Sequence, residues 1–284
     1  MRLATLNLPA GPTAAEISPD GAAFRPLAAA GVSLLALIPD LPEPGVPFQR
    51  LDPATLLAPI PRPARNIFCV GKNYHEHAAE FARSGFDTSA AKGETAPAWP
   101  VVFTKPPSAV IGPEAPILRF AALTGQLDYE AELAVVIGRP GRGIARDAAL
   151  SHVFGYTIVN DVTARDLQQR HRQWFLGKSM DSHCPMGPWI VTADAIPNPA
   201  MLELRCTVNG ELRQQANTRD LIFDIPTIIA TISAGITLQP GDIIATGTPA
   251  GVGIGFDPPR FLEPGDRVSI EIDAIGTLSN PVAA

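Results

Sequence analysis

Apolar positions along this chain alternate with polar ones far more often than they recur at helical spacing. In the first 50 residues RLATLNL, TAAEIS and AAFRPL read as short strands, separated by the turn segments AGP and PDG. NIFCVG (66–71), VVFTKP, LDYEAELAVVIG, FGYTIVND, GPWIVT, LELRCTVNG, ELRQQ, DIIATG and RVSIEI give further strand-like runs. Helical spacing is confined to a few segments. These are Tyr74 to Arg83, a short helical opening at DAALSHV, VTARDLQQRHRQ with Asp and Thr near its start as cap candidates, and IPTIIATIS. Strands and helices do not alternate regularly enough for βαβ winding, so the pattern predicts a β-rich α+β chain. The Pro-dense stretch DPATLLAPIPRPAR, residues 52–65, reads as an extended connector. It predicts a small N-terminal β domain over residues 1–60 and a larger domain over 64–284. Residues 84–99 have no periodicity and predict a mobile loop of the kind that serves as a lid.

Composition sharpens this picture by exclusion. The chain has 284 residues, 46% of them hydrophobic, with 30 Pro and 24 Gly, which suits a turn-rich globule with a sizeable core. Its net charge is −6 and it has no dense cluster of Lys and Arg, so nucleic acid and anionic membranes are poor partners. Cys69, Cys184 and Cys206 are odd in number, widely spaced and lack a CxxC pair. They predict reduced thiols and no thiolate zinc site. The opening MRLATLNLPAG lacks the apolar core of a signal peptide, and the longest apolar stretch, from Leu27, is too short to span a bilayer. The expectation is a soluble, cytoplasmic protein.

The chemistry starts at LDYEAELAVVIG, where Asp128, Glu130 and Glu132 are two apart and share one strand face. Asp161 closes the strand FGYTIVND. Glu130, Glu132 and Asp161 are flanked by core-like runs, and buried like charges need a positive partner. With no His or Cys nearby, an oxygen cage of this kind selects Mg²⁺, Mn²⁺ or Ca²⁺. A solvated strand edge is the competing reading. Asp128 lies further out and reads as a solvated or supporting acid. In NYHEHAAE, His77 and Glu80 are three apart, so a helix makes them neighbours and a general base of the pair, although exposed pairs of this spacing are common. Lys105 and Lys178 each follow an apolar segment, where either could meet a carboxylate or a developing oxyanion. IIATGTPAGVGIG is neither a P-loop nor a dinucleotide fingerprint; a ligand loop and a plain turn fit it equally. His152, His171 and His183 read as structural or surface residues, and no G-x-S-x-G elbow is present.

The order of NIFCVGKNYHEHAAE, VVFTKPPSAVIGP, LDYEAELAVVIG, GYTIVNDVTARDLQ, WFLGKSMDSHCPMGPWIVT, VNGELRQ and LQPGDIIATGTPAGVG closely resembles the fumarylacetoacetate hydrolase family, from about residue 64 to the end. The resemblance implies a mixed β-roll or β-sandwich catalytic domain preceded by a small N-terminal β domain, and a homodimer. It implies Mg²⁺ or Mn²⁺, or Ca²⁺ in some members, on Glu130, Glu132 and Asp161. It implies a water-activating dyad of His77 and Glu80, with Lys178 contacting the substrate's oxygens. Arg165, Gln168 and Thr248 match pocket positions, Lys105 matches a lysine near the lid, and Tyr74 is a further substrate contact. The implied reaction is hydrolysis of the C–C bond of a 2,4-diketo acid to pyruvate and a carboxylic acid. Oxaloacetate decarboxylation and isomerisation of a 2-hydroxy-dienoate are the alternatives on the same scaffold.

Overall fold

The computed structural model describes residues 1–43, 45–83 and 96–284. The expected lid over 84–99 therefore falls, for residues 84–95, outside the described residues.

The N-terminal segment forms β1 (Arg2–Leu8), β2 (Gly11–Ile17), β3 (Ala23–Pro26) and β4 (Gln49–Arg50), with a short helix α1 (Leu34–Leu37) between the last two. After the Pro-rich stretch come β5 (Ile67–Gly71), helix α2 (His75–Arg83) and β6 (Val101–Lys105). The middle of the chain holds β7 (Val110–Ile111), β8 (Ile117–Leu118), β9 (Leu127–Asp128), β10 (Ala131–Ile137), β11 (Val153–Asn160) and β12 (Thr163–Ala164). Helices α3 (Arg165–Arg170) and α4 (Phe175–Lys178) follow, then β13 (Cys184–Thr192), β14 (Glu203–Val208) and β15 (Glu211–Asn217). Helix α5 (Ile225–Ser233), β16 (Ile243–Ala245), β17 (Arg267–Ile272) and β18 (Gly276–Ala283) complete the order. The fold is a β-rich α+β architecture, as the alternation predicts.

The larger sheet runs β4-β3-β2-β1-β13-β11-β10-β16-β5-β6, and a second sheet runs β15-β14-β17-β18-β8. The N-terminal strands join the larger sheet through β1, with Arg2 opposite Val191 and Leu3 opposite Ile190. Central strand β10 is buried on both faces, which explains its unbroken apolar run. Leu133, Val135 and Ile137 pack with Ile228, Ile229 and Ile232 of α5 and with Leu204 and Ile270 of the second sheet. Ala134 and Val136 point the other way, to a core with Ile67, Cys69, Val159 and Ile190. Each such side chain contributes about 1.5–3 kcal/mol by burial, so the strand that carries Glu132 is held from both sides. Asp224 caps α5 by accepting from the Thr227 amide at 2.9 Å.

Two local expectations change. LDYEAELAVVIG is not one strand: β9 ends at Asp128 and β10 begins at Ala131. Helix α3 starts only at Arg165, with Ala164 at its cap position and no capping side chain. The residues before it serve other partners, since the Thr163 hydroxyl donates to the Asp161 carbonyl at 2.8 Å. Among the described residues no helix is long and apolar enough to cross a membrane.

Candidate metal centre and active site

Strand pairing brings the acids together. β10 and β11 run antiparallel with Ala131 opposite Asn160, so Glu130 and Asp161 lie one step beyond that rung. The Asp161 amide donates to the Glu130 carbonyl, and the Glu130 amide donates to Asn160 Oδ1 at 3.0 Å. Glu130, Glu132 and Asp161 each offer an oxygen within 4.8 Å of the others, and all three are buried. A solvated strand edge is thereby ruled out.

Cations thread this cluster. Lys178 Nζ donates to Glu130 Oε2 at 2.8 Å and to Asp161 Oδ2 at 2.7 Å. Lys105 Nζ donates to Asp161 Oδ1 at 2.6 Å and to the Val162 carbonyl at 3.0 Å. Arg165 Nη1 lies 2.6 Å from Glu130 Oε1, and Arg165 Nε donates to Asp128 Oδ2 at 2.9 Å. Burial alone would raise the Glu130 carboxyl, but the charges of Lys178 and Arg165 hold it down at about 2. Glu132 differs: burial, with the charges of Asp161 and Glu130 added, pushes its carboxyl well up. Its hydrogen bond comes from the Gly247 amide at 2.8 Å. Gly247 holds φ +106°, and a Cβ there would stand 2.7 Å from Asn73 Cβ. Asp128, Glu130 and Asp161 thus pair with Lys105, Arg165 and Lys178, and Glu132 lies beside them. The donors that the acid trio offers are all oxygen. A hard divalent cation fits this donor set.

The pocket beside the acids is lined by His77, Glu130, Glu132, Arg165, Gln168, Lys178 and Thr248, with Lys72 and the rings of Phe81, Phe103 and Trp174. His77 Nδ1 lies 3.1 Å from Glu80 Oε2. A carboxylate only accepts, so Nδ1 carries the proton and Nε2 is the basic nitrogen. Trp174 packs edge-on to Phe81 and Phe103, building one aromatic wall. The Thr248 hydroxyl accepts from Gln214 Nε2 at 2.8 Å.

Three candidates stand elsewhere than expected. Lys105 is fully buried behind Asp161 and does not line the pocket. Tyr74 is buried and lines a neighbouring cleft with Arg219, Asp220 and Pro249. Asp128, read as an outlying acid, is fully buried and accepts from the amides of Tyr129, Gly253 and Ile254 besides Arg165. Sequence reasoning passed over Lys72 and Trp174, although KNYHEH and WFLGKS carry them beside residues it singled out.

Fold and pocket together define a β-rich α+β protein whose buried acid trio could hold a metal ion, with a His–Glu pair nearby. The chain belongs to the fumarylacetoacetate hydrolase family: residues 66–283 match the family domain described as "Fumarylacetoacetate (FAA) hydrolase C-terminal". It is 53% identical over 240 residues to the oxaloacetate tautomerase YisK of Bacillus subtilis (strain 168), covering 84% of this chain and 77% of that protein. Among solved structures it is similar to the fumarylacetoacetate hydrolase of Exiguobacterium antarcticum, with TM-score 0.86, 44% identity and coverage of 100% and 99% of the two chains. It is also similar to the maleylpyruvate hydrolase of Sphingobium sp. SYK-6 in complex with manganese (II) ion and pyruvate, with TM-score 0.77, 34% identity and the same coverage.

Proposed function

We propose that the protein is a divalent-metal-dependent tautomerase of a small 2-oxo acid of the oxaloacetate class. It interconverts keto and enol forms by moving a proton between C3 and the oxygen on C2. The observation that carries this reading is that His77, paired with Glu80, lines the same pocket as Glu130 and Glu132 of the all-oxygen acid trio. Tautomerisation asks for one basic atom, positive charge near the enolate oxygen, and shelter from bulk water. It asks for no nucleophile.

Glu130, Glu132 and Asp161 are the residues that would hold Mg²⁺ or Mn²⁺; when bound, the ion supplies positive charge to an enolate oxygen. His77, its Nδ1 engaged by Glu80, offers Nε2 for proton exchange with the substrate. Arg165 keeps a buried Nη2 that has no hydrogen-bond partner among the described residues, and it lines the pocket. In this reading that nitrogen donates to a substrate carboxylate. Phe81, Phe103 and Trp174 exclude water along one wall.

The identity to the Bacillus tautomerase supports proton transfer over the C–C hydrolysis first expected. Hydrolysis remains the second reading, favoured by the His77–Glu80 contact, since that pair could equally draw a proton from water. The deciding assay follows enol-oxaloacetate absorbance and, separately, pyruvate release from an acylpyruvate, each with Mn²⁺ and with EDTA. Metal-dependent loss of the enol signal without pyruvate release supports the tautomerase. Pyruvate release with no effect on the enol signal overturns it.

A further inference from the structure

The glycine-rich segment 247–255, which as sequence fits a ligand loop and a plain turn equally, touches the dyad directly. Glu80 uses its two oxygens differently. Oε2 meets His77, while Oε1 accepts from the Gly251 amide at 2.9 Å. Gly255 lies flat against the same carboxylate: a Cβ on it would stand 1.8 Å from Glu80 Oε1 and 2.3 Å from Cδ. The segment is itself pinned at three further points. The Tyr129 hydroxyl donates to the Gly251 carbonyl at 2.9 Å, and the Gly253 and Ile254 amides donate to Asp128 at 2.6 and 3.1 Å. Asp128 in turn holds Arg165.

We infer that residues 251–255 form a seat for the Glu80 carboxylate, and that Gly251 and Gly255 are positioning residues for the His77–Glu80 base. The inference rests on the proposed role of that pair. The physical argument concerns order. A glutamate on a nine-residue helix has several rotamers, and fixing a free side chain of this type costs conformational entropy. One hydrogen bond to His77 offsets only part of that cost, because it replaces bonds to water. A second bond, to an amide whose own position is fixed by Tyr129 and Asp128, tips the balance toward the single rotamer that orients the imidazole. The bare Cα of Gly255 lets the carboxylate come close enough to accept it. Because Asp128 pins the segment and also holds Arg165, one buried acid aligns the base with the guanidinium that faces the pocket.

The test is Gly255→Ala. Gly255 does not need a left-handed backbone, and the atom in the way is the far end of a flexible side chain. The added methyl therefore displaces Glu80 and leaves the fold in place. With enol-oxaloacetate and Mn²⁺, kcat falls at least tenfold, to within twofold of Glu80→Ala, while KM and Mn²⁺ affinity by calorimetry stay within twofold of the parent. The double variant Gly255→Ala/Glu80→Ala is no slower than either single one. Glu80→Asp gives a second route: it keeps the charge but is one methylene too short to span His77 and Gly251, and it falls to the same level. Parent-level kcat in Gly255→Ala or in Glu80→Asp, beside a disabled Glu80→Ala, overturns the seat alone. Parent-level kcat in Glu80→Ala overturns the base assignment and the seat with it.

Discussion

Glu130 and Asp161 share one ammonium: Lys178 Nζ stands 2.8 Å from the first and 2.7 Å from the second. All three side chains are buried. Burial by itself would lower the pKa of this lysine, and the two carboxylates reverse that, holding it above the ordinary value. The contact makes Lys178 a fixed strut of the acid cluster as well as a pocket wall.

Replacing Lys178 by Met therefore removes the counter-charge of two buried acids. Breaking such a pair costs about 3–5 kcal/mol. The variant melts well below the parent in EDTA, and Mn²⁺ restores part of the gap, because a cation returns to the same oxygens. Thermal melts with and without Mn²⁺ measure this. Equal melting temperatures in EDTA would count against the strut.

Glu132 behaves in the opposite way. It sits among like charges, and its hydrogen bond is from the Gly247 amide. Glu132→Gln removes the penalty of burying this carboxyl beside Asp161 and Glu130 in metal-free protein, so stability in EDTA changes by less than about 1 kcal/mol or rises. Metal affinity drops at least tenfold, a loss of about 1.4 kcal/mol or more. Calorimetric titration with Mn²⁺, paired with urea unfolding in EDTA, reads both effects. Unchanged affinity defeats the ligand assignment.

His77→Ala separates base from metal. His77 makes its contact with Glu80 and none with the acid trio within hydrogen-bond distance among the described residues. The variant keeps Mn²⁺ affinity, and turnover of enol-oxaloacetate falls by about 10²–10⁴, the usual worth of a general base. Turnover within threefold of the parent removes His77 from the mechanism.

Much of this site is legible in the linear chain, for reasons particular to each residue. Glu130, Glu132 and Asp161 stand out because each abuts an apolar run, and burial then forces the question of a counter-charge. His77 and Glu80 are legible because a helix alone makes i and i+3 neighbours. Asp128 is not, because its partners are Arg165, 37 positions on, and Gly253, 125 positions on. Nothing local distinguishes it from a solvated acid. The interruption at Tyr129 and Glu130 is equally hidden, since alternation continues through it while the pairing partner changes from β12 to β11. For Lys105 the sequence places a lysine at a strand end, and only the packed sheet shows which way it points.

His183 supplies a pH prediction away from the acids. Its Nε2 lies 3.0 Å from the Leu118 carbonyl, and its Nδ1 is buried with no partner among the described residues. A second proton would sit on Nδ1 with nothing to accept its hydrogen bond. Burial, with the charge of Lys105 added, lowers the pKa to about 3. The folded protein thus keeps this ring neutral down to about pH 3, while the unfolded chain takes up a proton near pH 6.5. Between those values the unfolded state binds more protons, so His183 makes stability fall with falling pH, by up to about 1.4 kcal/mol per unit. Above pH 6.5 it has no such effect. His183→Gln keeps a donor for Leu118 and removes the proton-linked slope. By urea unfolding the variant is less stable than the parent at pH 7.5, and the difference shrinks by about 1 kcal/mol per unit below pH 6. Parallel stability curves for the two proteins from pH 7.5 to 5 would show that the ring is protonated in the fold.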